Sequence, residues 1–273
     1  MLKTRVITAL VLLSVLLPII LFGPFSVFNA LITLVVIFST FEWVRLLGFR
    51  NLIGSIMYTV IVVIILNLTM RLGIESNTSH PLFVAAGIFW MVISPLALWY
   101  RPALTRCAWR LFLLAAGAIL LIAFWHAIVI ARLFGSKFIL SLLLVVWIVD
   151  ISAYFFGKFF GKHKLLLSIS PGKTLEGAIG SFIAVTIFSG AAMTTHLFEP
   201  NLFSVLVSRY QILGAWVALM LLTTFSIVGD LFESMLKRQV GFKDSSGILP
   251  GHGGILDRID SLLPVLPLVM LLL

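Results

Sequence analysis

Between Arg5 and Glu42 the chain carries no charged residue at all. A helix needs about 20 mostly apolar residues to cross roughly 30 Å of hydrocarbon. Lipid offers no hydrogen-bond partners, so a spanning segment must satisfy its own backbone, as a helix does. Gly23-Pro24 breaks the stretch near its middle and divides it into spans at about 6–22 and 25–44. Similar runs recur at about 52–70, 82–100, 111–131, 138–157, 177–197 and 211–231. A last apolar piece, 261–273, has 13 residues and reaches only about 20 Å at 1.5 Å per residue. It is either tilted into a protein-lined position or the trimmed end of a longer span. With 61% hydrophobic and 11% charged residues, no room is left for a separate soluble domain. The expected fold is all-α: a polytopic integral membrane protein with about nine transmembrane helices. The expected division is 1–135, N-terminal transmembrane helices, and 136–273, a catalytic transmembrane region with motif loops at 157–176 and 230–260.

Lys3 and Arg5 before the first apolar run resemble a secretory signal, but no small-x-small cleavage site follows and a second apolar run begins at once. A retained first helix is expected. Lysine and arginine orient the spans. One set of alternate loops carries fifteen of the 19 cations, among them Arg45, Arg101, Lys158, Lys173 and Lys237, whereas Arg71, Arg132, Lys137 and Arg209 fall in the other set. The N-terminus is therefore expected inside, with the +9 charge concentrated on the cytoplasmic face. This skew orients the chain without naming a ligand. The lone Cys107 cannot form an internal disulfide.

The acids are few and placed unevenly. Glu75 and Glu199 fall in outer loops, whereas Asp230, Glu233, Asp244, Asp257 and Asp260 crowd into 31 residues of one inner loop. Carboxylates beside hydrocarbon are costly and are kept for function or for a buried partner. Asp150, Tyr154 and Lys158 lie at i, i+4 and i+8, one face of a helix running to the inner edge. A salt bridge within the membrane is the alternative reading of Asp150. Glu42, at a span edge, is kept either for function or as a simple partner of Arg45 one turn away, and His126, alone on an apolar helix, reads as packing. Asp230, Glu233 and Lys237 share a face at i, i+3 and i+7, and Asp257 and Asp260 flank Arg258.

Between these acids runs Leu249-Pro250-Gly251-His252-Gly253-Gly254. Glycines let backbone N–H groups approach phosphate oxygens. Clustered carboxylates beside interleaved cations suit Mg²⁺ with a polyphosphate, because Mg²⁺ takes few protein oxygens plus substrate phosphates. A charged loop that merely flanks helices is the bland alternative. The preceding inner loop contains Gly172-Lys173-Thr174, the tail of a Walker A loop, but Leu167 stands where the first glycine belongs, so the P-loop reading fails.

These residues resemble a known family. Ser234…Lys237-Arg238, Lys243-Asp244-Ser245, then Leu249-Pro250-Gly251-His252-Gly253-Gly254…Asp257-Arg258…Asp260 is similar to the signature of bacterial CDP-diacylglycerol synthases (phosphatidate cytidylyltransferases). A second block, Asp150…Tyr154…Gly157-Lys158…Ser170-Pro171-Gly172-Lys173-Thr174…Glu176-Gly177, also resembles the family. Ile151-Ser152, Leu166-Leu167 and Leu175 depart from its usual pattern beside the motif lysines. The resemblance implies that CTP and phosphatidic acid yield CDP-diacylglycerol and pyrophosphate, as one step of phospholipid biosynthesis. It implies catalytic roles for Asp230, Asp257, Lys237, Arg238 and Asp260, with Asp230 and Asp257 holding Mg²⁺ and room for a second cation. Substrate binding is expected from Lys173, Lys243, Asp244, His252, Gly253, Gly254, Arg258, Asp150 and Tyr154. The implied partners are CTP, phosphatidic acid and the bilayer, with a homodimer and without nucleic acid. The implied place is the inner (plasma) membrane, active site on the cytoplasmic side. Two other readings stay open: a CTP-dependent lipid kinase of the dolichol-kinase type, and an ion-coupled transporter using Asp150. The transporter reading finds no internal repeat and leaves the acid-glycine-cation cluster without a purpose.

Overall fold

A computed structural model describes residues 2–49, 51–71, 79–195 and 199–273, with side chains from Ile7 onward. Glu75 and Arg50 lie outside the described residues, as do the side chains of Lys3 and Arg5. Among the described residues eleven α-helices follow one another: α1 (Leu2–Phe22), α2 (Phe25–Leu46), α3 (Leu52–Arg71), α4 (Ser79–Ile88), α5 (Ser94–Tyr100), α6 (Cys107–Leu133), α7 (Ser136–Phe160), α8 (Leu175–Thr194), α9 (Leu202–Gln239), α10 (Leu256–Ile259) and α11 (Leu262–Leu272). A π-helical turn, Phe89–Ile93, fuses α4 and α5 into one rod. The architecture is all-α, and seven rods among the described residues are long and apolar enough to cross a membrane. The apolar stretch of α1 and the eleven residues of α11 are shorter.

Helix α11 is walled by α4, α6 and α9, and it is buried from Leu262 to Val269. The short apolar piece therefore takes the protein-lined position, where other helices rather than lipid receive its leucines. The two halves of the chain thus interleave in space.

Helix α9 departs most from the sequence expectation of 211–231. Asn201 starts it early: its side chain accepts from Ser204 N at 2.8 Å while Ser204 Oγ accepts from Asn201 N at 3.1 Å, a reciprocal cap. The stretch carrying Arg209, expected as outer loop, is therefore helical up to a kink at Gln211 (φ 59°). At its other end no breaker occurs before Gly241, so the helix runs through Glu233, Lys237 and Arg238. Glu233 and Lys237 thus lie on one face at this end of the helix, as their i, i+4 spacing implies, and the helix goes on through Arg238. Phe232 is seated among Trp43, Phe89 and Trp90, with ring centroids 5.3–6.5 Å away. This aromatic cluster fixes the rotation of the helix end.

Residues 164–174, read as plain loop, form an antiparallel hairpin. Strands β1 (Lys164–Leu166) and β2 (Ser170–Thr174) pair Lys164 with Thr174 and Leu166 with Ser170. The motif-bearing ends of the helices gather on one side of the bundle. Thr8 Oγ1 donates to Pro250 O (2.9 Å), Leu104 N to Gln239 Oε1 (2.8 Å) and Arg238 Nε to Ile169 O (3.2 Å), while Arg110 lies over Phe49. At the opposite end Arg132 Nη2 donates to Gly23 O and Lys137 Nζ to Glu199 O. The cation-rich loops therefore share one rim.

Candidate functional site

A cavity of about 490 Å³ opens at that rim, large enough for a small-molecule ligand. Helix α7 contributes Asp150, Ala153 and Tyr154; the hairpin contributes Ser170, Gly172 and Lys173; α9 contributes Asp230 and Lys237; and the closing segment contributes Asp244, Asp257, Arg258 and Asp260. Distant stretches meet here for local reasons. Thr174 Oγ1 accepts from Gly177 N (3.1 Å), capping α8 and setting where the hairpin ends, so that Lys173 faces α9. A Cβ at Gly229 would collide with Asp260 O, so only glycine lets α9 lie this close and brings Asp230 beside Asp260.

Two ion-paired groups organise the charge. Lys173 Nζ lies 2.6 Å from Asp230 Oδ2, bridging hairpin and α9. Deeper in, Lys237 Nζ lies 2.6 Å from Asp257 Oδ1 and 3.0 Å from Glu233 Oε2, all three groups buried. The other oxygen of Asp257 accepts from Ser245 N (2.9 Å), Ser245 Oγ (2.9 Å) and Gly254 N (2.7 Å). Burial pushes the Asp257 carboxyl up, but Lys237 and the two backbone N–H groups outweigh it and hold the group below its ordinary range. Asp260 goes the other way: desolvation, then the neighbouring charges of Asp230 and Glu233, raise it well above the carboxylate norm.

Nine of the expected site residues therefore line one cavity: Asp150, Tyr154, Lys173, Asp230, Lys237, Asp244, Asp257, Arg258 and Asp260. Five do not. Arg238 turns to the hairpin carbonyl of Ile169, and Lys243 is exposed. His252, Gly253 and Gly254 form the turn behind the wall, closed by Leu249 N donating to Gly253 O at 2.8 Å. Lys158, expected on the Asp150 stripe, lies over the ring of Tyr154 one turn away, so the two share the expected face, although Lys158 does not line the cavity. Sequence reasoning missed Ser245, whose N–H and hydroxyl both reach Asp257, and it gave Glu42 the wrong partner. Arg45 is exposed, whereas Glu42 is fully buried and accepts hydrogen bonds from the 245–256 segment. The one available clue was that Glu42 interrupts an apolar span. His126 is buried between Thr69 Oγ1 (2.9 Å) and Ser79 Oγ (3.3 Å), a satisfied packing residue.

The expected Mg²⁺ can be set against this geometry. Among the described residues no three or more His, Cys, Asp or Glu side chains form a ready metal cage. Mg²⁺ does not require one, because one or two carboxylates plus substrate phosphates suffice. Asp230 fits that mode. It faces the cavity, one of its oxygens is paired with Lys173, and the other accepts only a long hydrogen bond from Ser234 Oγ at 3.3 Å. Asp257 fits less directly than expected, because four donors occupy its two oxygens.

Fold and cavity together define a polytopic membrane protein with a carboxylate- and lysine-lined chamber at one rim, the equipment for handling a phosphate-bearing substrate at the bilayer edge. Comparison with known proteins narrows this. The cytidylyltransferase family profile matches residues 3–273. A Pseudomonas aeruginosa protein named phosphatidate cytidylyltransferase is 37% identical over 279 aligned residues, covering 100% of this chain and 97% of its own. Proteins of the same name from Staphylococcus aureus (strain COL) and Staphylococcus haemolyticus are each 45% identical, over 51% of this chain and 50% of theirs. The chain belongs to the cytidylyltransferase family.

Proposed function

We infer that this protein transfers the cytidylyl group of CTP to phosphatidic acid, giving CDP-diacylglycerol and pyrophosphate. The observation that carries the reading is the single cavity in which both motif blocks meet, in a chain that aligns over its whole length with a phosphatidate cytidylyltransferase. An oxygen of the lipid phosphate bonds to the α-phosphorus of CTP, the bond from that phosphorus to the bridging oxygen breaks, and pyrophosphate leaves with the electron pair. A phosphate monoester is already anionic near pH 7, so positioning and charge stabilisation outweigh any need for a strong base.

Lys173, from the hairpin, and Arg258, from α10, supply positive charge for the phosphates. Lys237, tied to Glu233 and Asp257, stays fixed and charged at the cavity floor. Asp230 would hold Mg²⁺, with Asp260 beside it, and Asp257 offers Oδ1 only where Lys237 yields it. Bound there, Mg²⁺ would neutralise phosphate charge and stabilise the departing pyrophosphate. The rim faces the cytoplasm of the inner (plasma) membrane in this reading, supported by the fifteen cations that the sequence assigns to one set of alternate loops.

The test uses purified protein in lipid nanodiscs with phosphatidate and CTP labelled at either the α- or the γ-phosphorus. The α-label should enter the lipid, and the γ-label should leave in pyrophosphate. Transfer of the γ-label to a lipid would establish the kinase reading instead. Chelation by EDTA should stop the reaction and added Mg²⁺ restore it; undiminished turnover in EDTA would remove the metal from the proposal.

A further inference from the structure

Glu42 belongs to α2, more than 200 positions from the motif segment it touches. It is fully buried, and none of the lysines or arginines among the described residues pairs with it. A buried carboxylate without a cation persists only when hydrogen bonds replace water. Three donors do so here, all from 245–256, joined by the Ser245 hydroxyl, whose single proton is shared between Glu42 and Asp257. Oε1 accepts from Ser246 Oγ (2.5 Å) and Ile255 N (3.1 Å). Oε2 accepts from Ser245 Oγ (3.1 Å) and Leu256 N (2.7 Å). The fit is tight, because a Cβ on Gly254 would collide with Ser245 Oγ and the Glu42 carboxylate. Ser245 in turn holds Asp257, and Asp257 holds Lys237, so a chain of contacts runs from α2 to the cavity floor.

We propose that Glu42 is a positioning residue for the cytidylyl transfer, a carboxylate clamp that fixes the 245–256 segment and thereby sets Asp257 and Arg258 at the cavity wall. The proposal rests on the transferase reading above. Each oxygen of Glu42 faces one backbone N–H that cannot turn round. Glutamine matches the side chain in size, yet its amino group must meet either Ile255 N–H or Leu256 N–H whichever way the amide is flipped. Glu42→Gln should therefore release the segment without removing volume from the bundle.

Small misplacements of catalytic groups cost up to about 10²-fold in rate. Glu42→Gln should accordingly lower kcat roughly 30- to 100-fold while KM for CTP moves less than about threefold, since the hairpin and α7 walls remain. In the same folded protein, tryptic nicking at Lys243 should accelerate at least about tenfold, with nicking at Lys162 and Lys164 unchanged as internal controls. Wild-type kcat in Glu42→Gln overturns the proposal. So does activity that falls only in step with the folded fraction while Lys243 nicks at the wild-type rate. If Glu42→Gln does not fold, Ser246→Ala decides the matter: losing one donor should cost roughly three- to tenfold in kcat and speed the Lys243 nick, and wild-type values for both overturn it. Should the wild-type protein convert no CTP to CDP-lipid, the transferase reading fails, and the nicking comparison alone decides whether Glu42 clamps the segment.

Discussion

Asp257 has two oxygens and meets four donors, so replacing it differs in kind from replacing Asp230. Asp230→Asn keeps its size and, with Asp230 half-buried at an open wall, should leave folding intact. Turnover at limiting Mg²⁺ should fall at least about 10²–10³-fold, the loss expected when one charged electrostatic contact goes; near-normal turnover would show that Asp230 is not a ligand. Asp257→Asn should lose activity and stability together. Its amide nitrogen must face either Lys237 or the Ser245 and Gly254 N–H groups, and breaking a buried pair costs about 3 kcal/mol or more. Thermal unfolding in detergent should show the drop for Asp257→Asn and little change for Asp230→Asn. The Asp257 carboxyl is held below its unfolded value of about 3.9, so its stabilisation is complete above that pH and is lost as pH falls through the lower native value. Melting curves on descending through this acidic window should therefore steepen for wild type and not for Asp257→Asn.

Among the elements, the capped end of the hairpin offers the most direct test. Thr174→Val keeps the packing of a methyl group but removes the oxygen that accepts from Gly177 N. The expected loss is about 1 kcal/mol of stability, read as a lower melting temperature, with a raised KM for CTP because Lys173 is the next residue; an unchanged KM would detach the cap from the site. The spans were legible because apolar runs of about 20 residues have one stable solution in lipid. The hairpin was not, since Lys164–Leu166 shows no alternation long enough to register as a strand. The i, i+3, i+7 spacing put Asp230, Glu233 and Lys237 on one helix face, but the mutual neutralisation of Glu233 and Lys237 inside the protein is a tertiary fact that spacing does not carry. The same holds for the site. Acid-glycine-cation clustering pointed to Asp230, Asp257 and Lys173, whereas the roles of Ser245 and Glu42 depend on which segment α2 faces, and local pattern carries no trace of that.

For the whole molecule, the gathering of motif loops on one rim makes sidedness testable at a few positions. After Cys107, which is exposed, is replaced by serine, single cysteines at Ser168 and Gly247, both exposed, should react with an impermeant maleimide in inverted vesicles and stay unlabelled in intact cells. Labelling of either from outside would reverse the orientation.

The clamp also has a consequence for how the chain is made. Glu42 enters the membrane edge with α2, but its acceptor shell arrives 203 to 214 residues later. At about 5–20 residues per second, translation leaves that acid without its final partners for roughly 10–40 s. A half-synthesised chain thus carries a membrane-edge carboxylate whose hydrogen-bond donors have yet to be made, a difference in charge compensation from the finished protein.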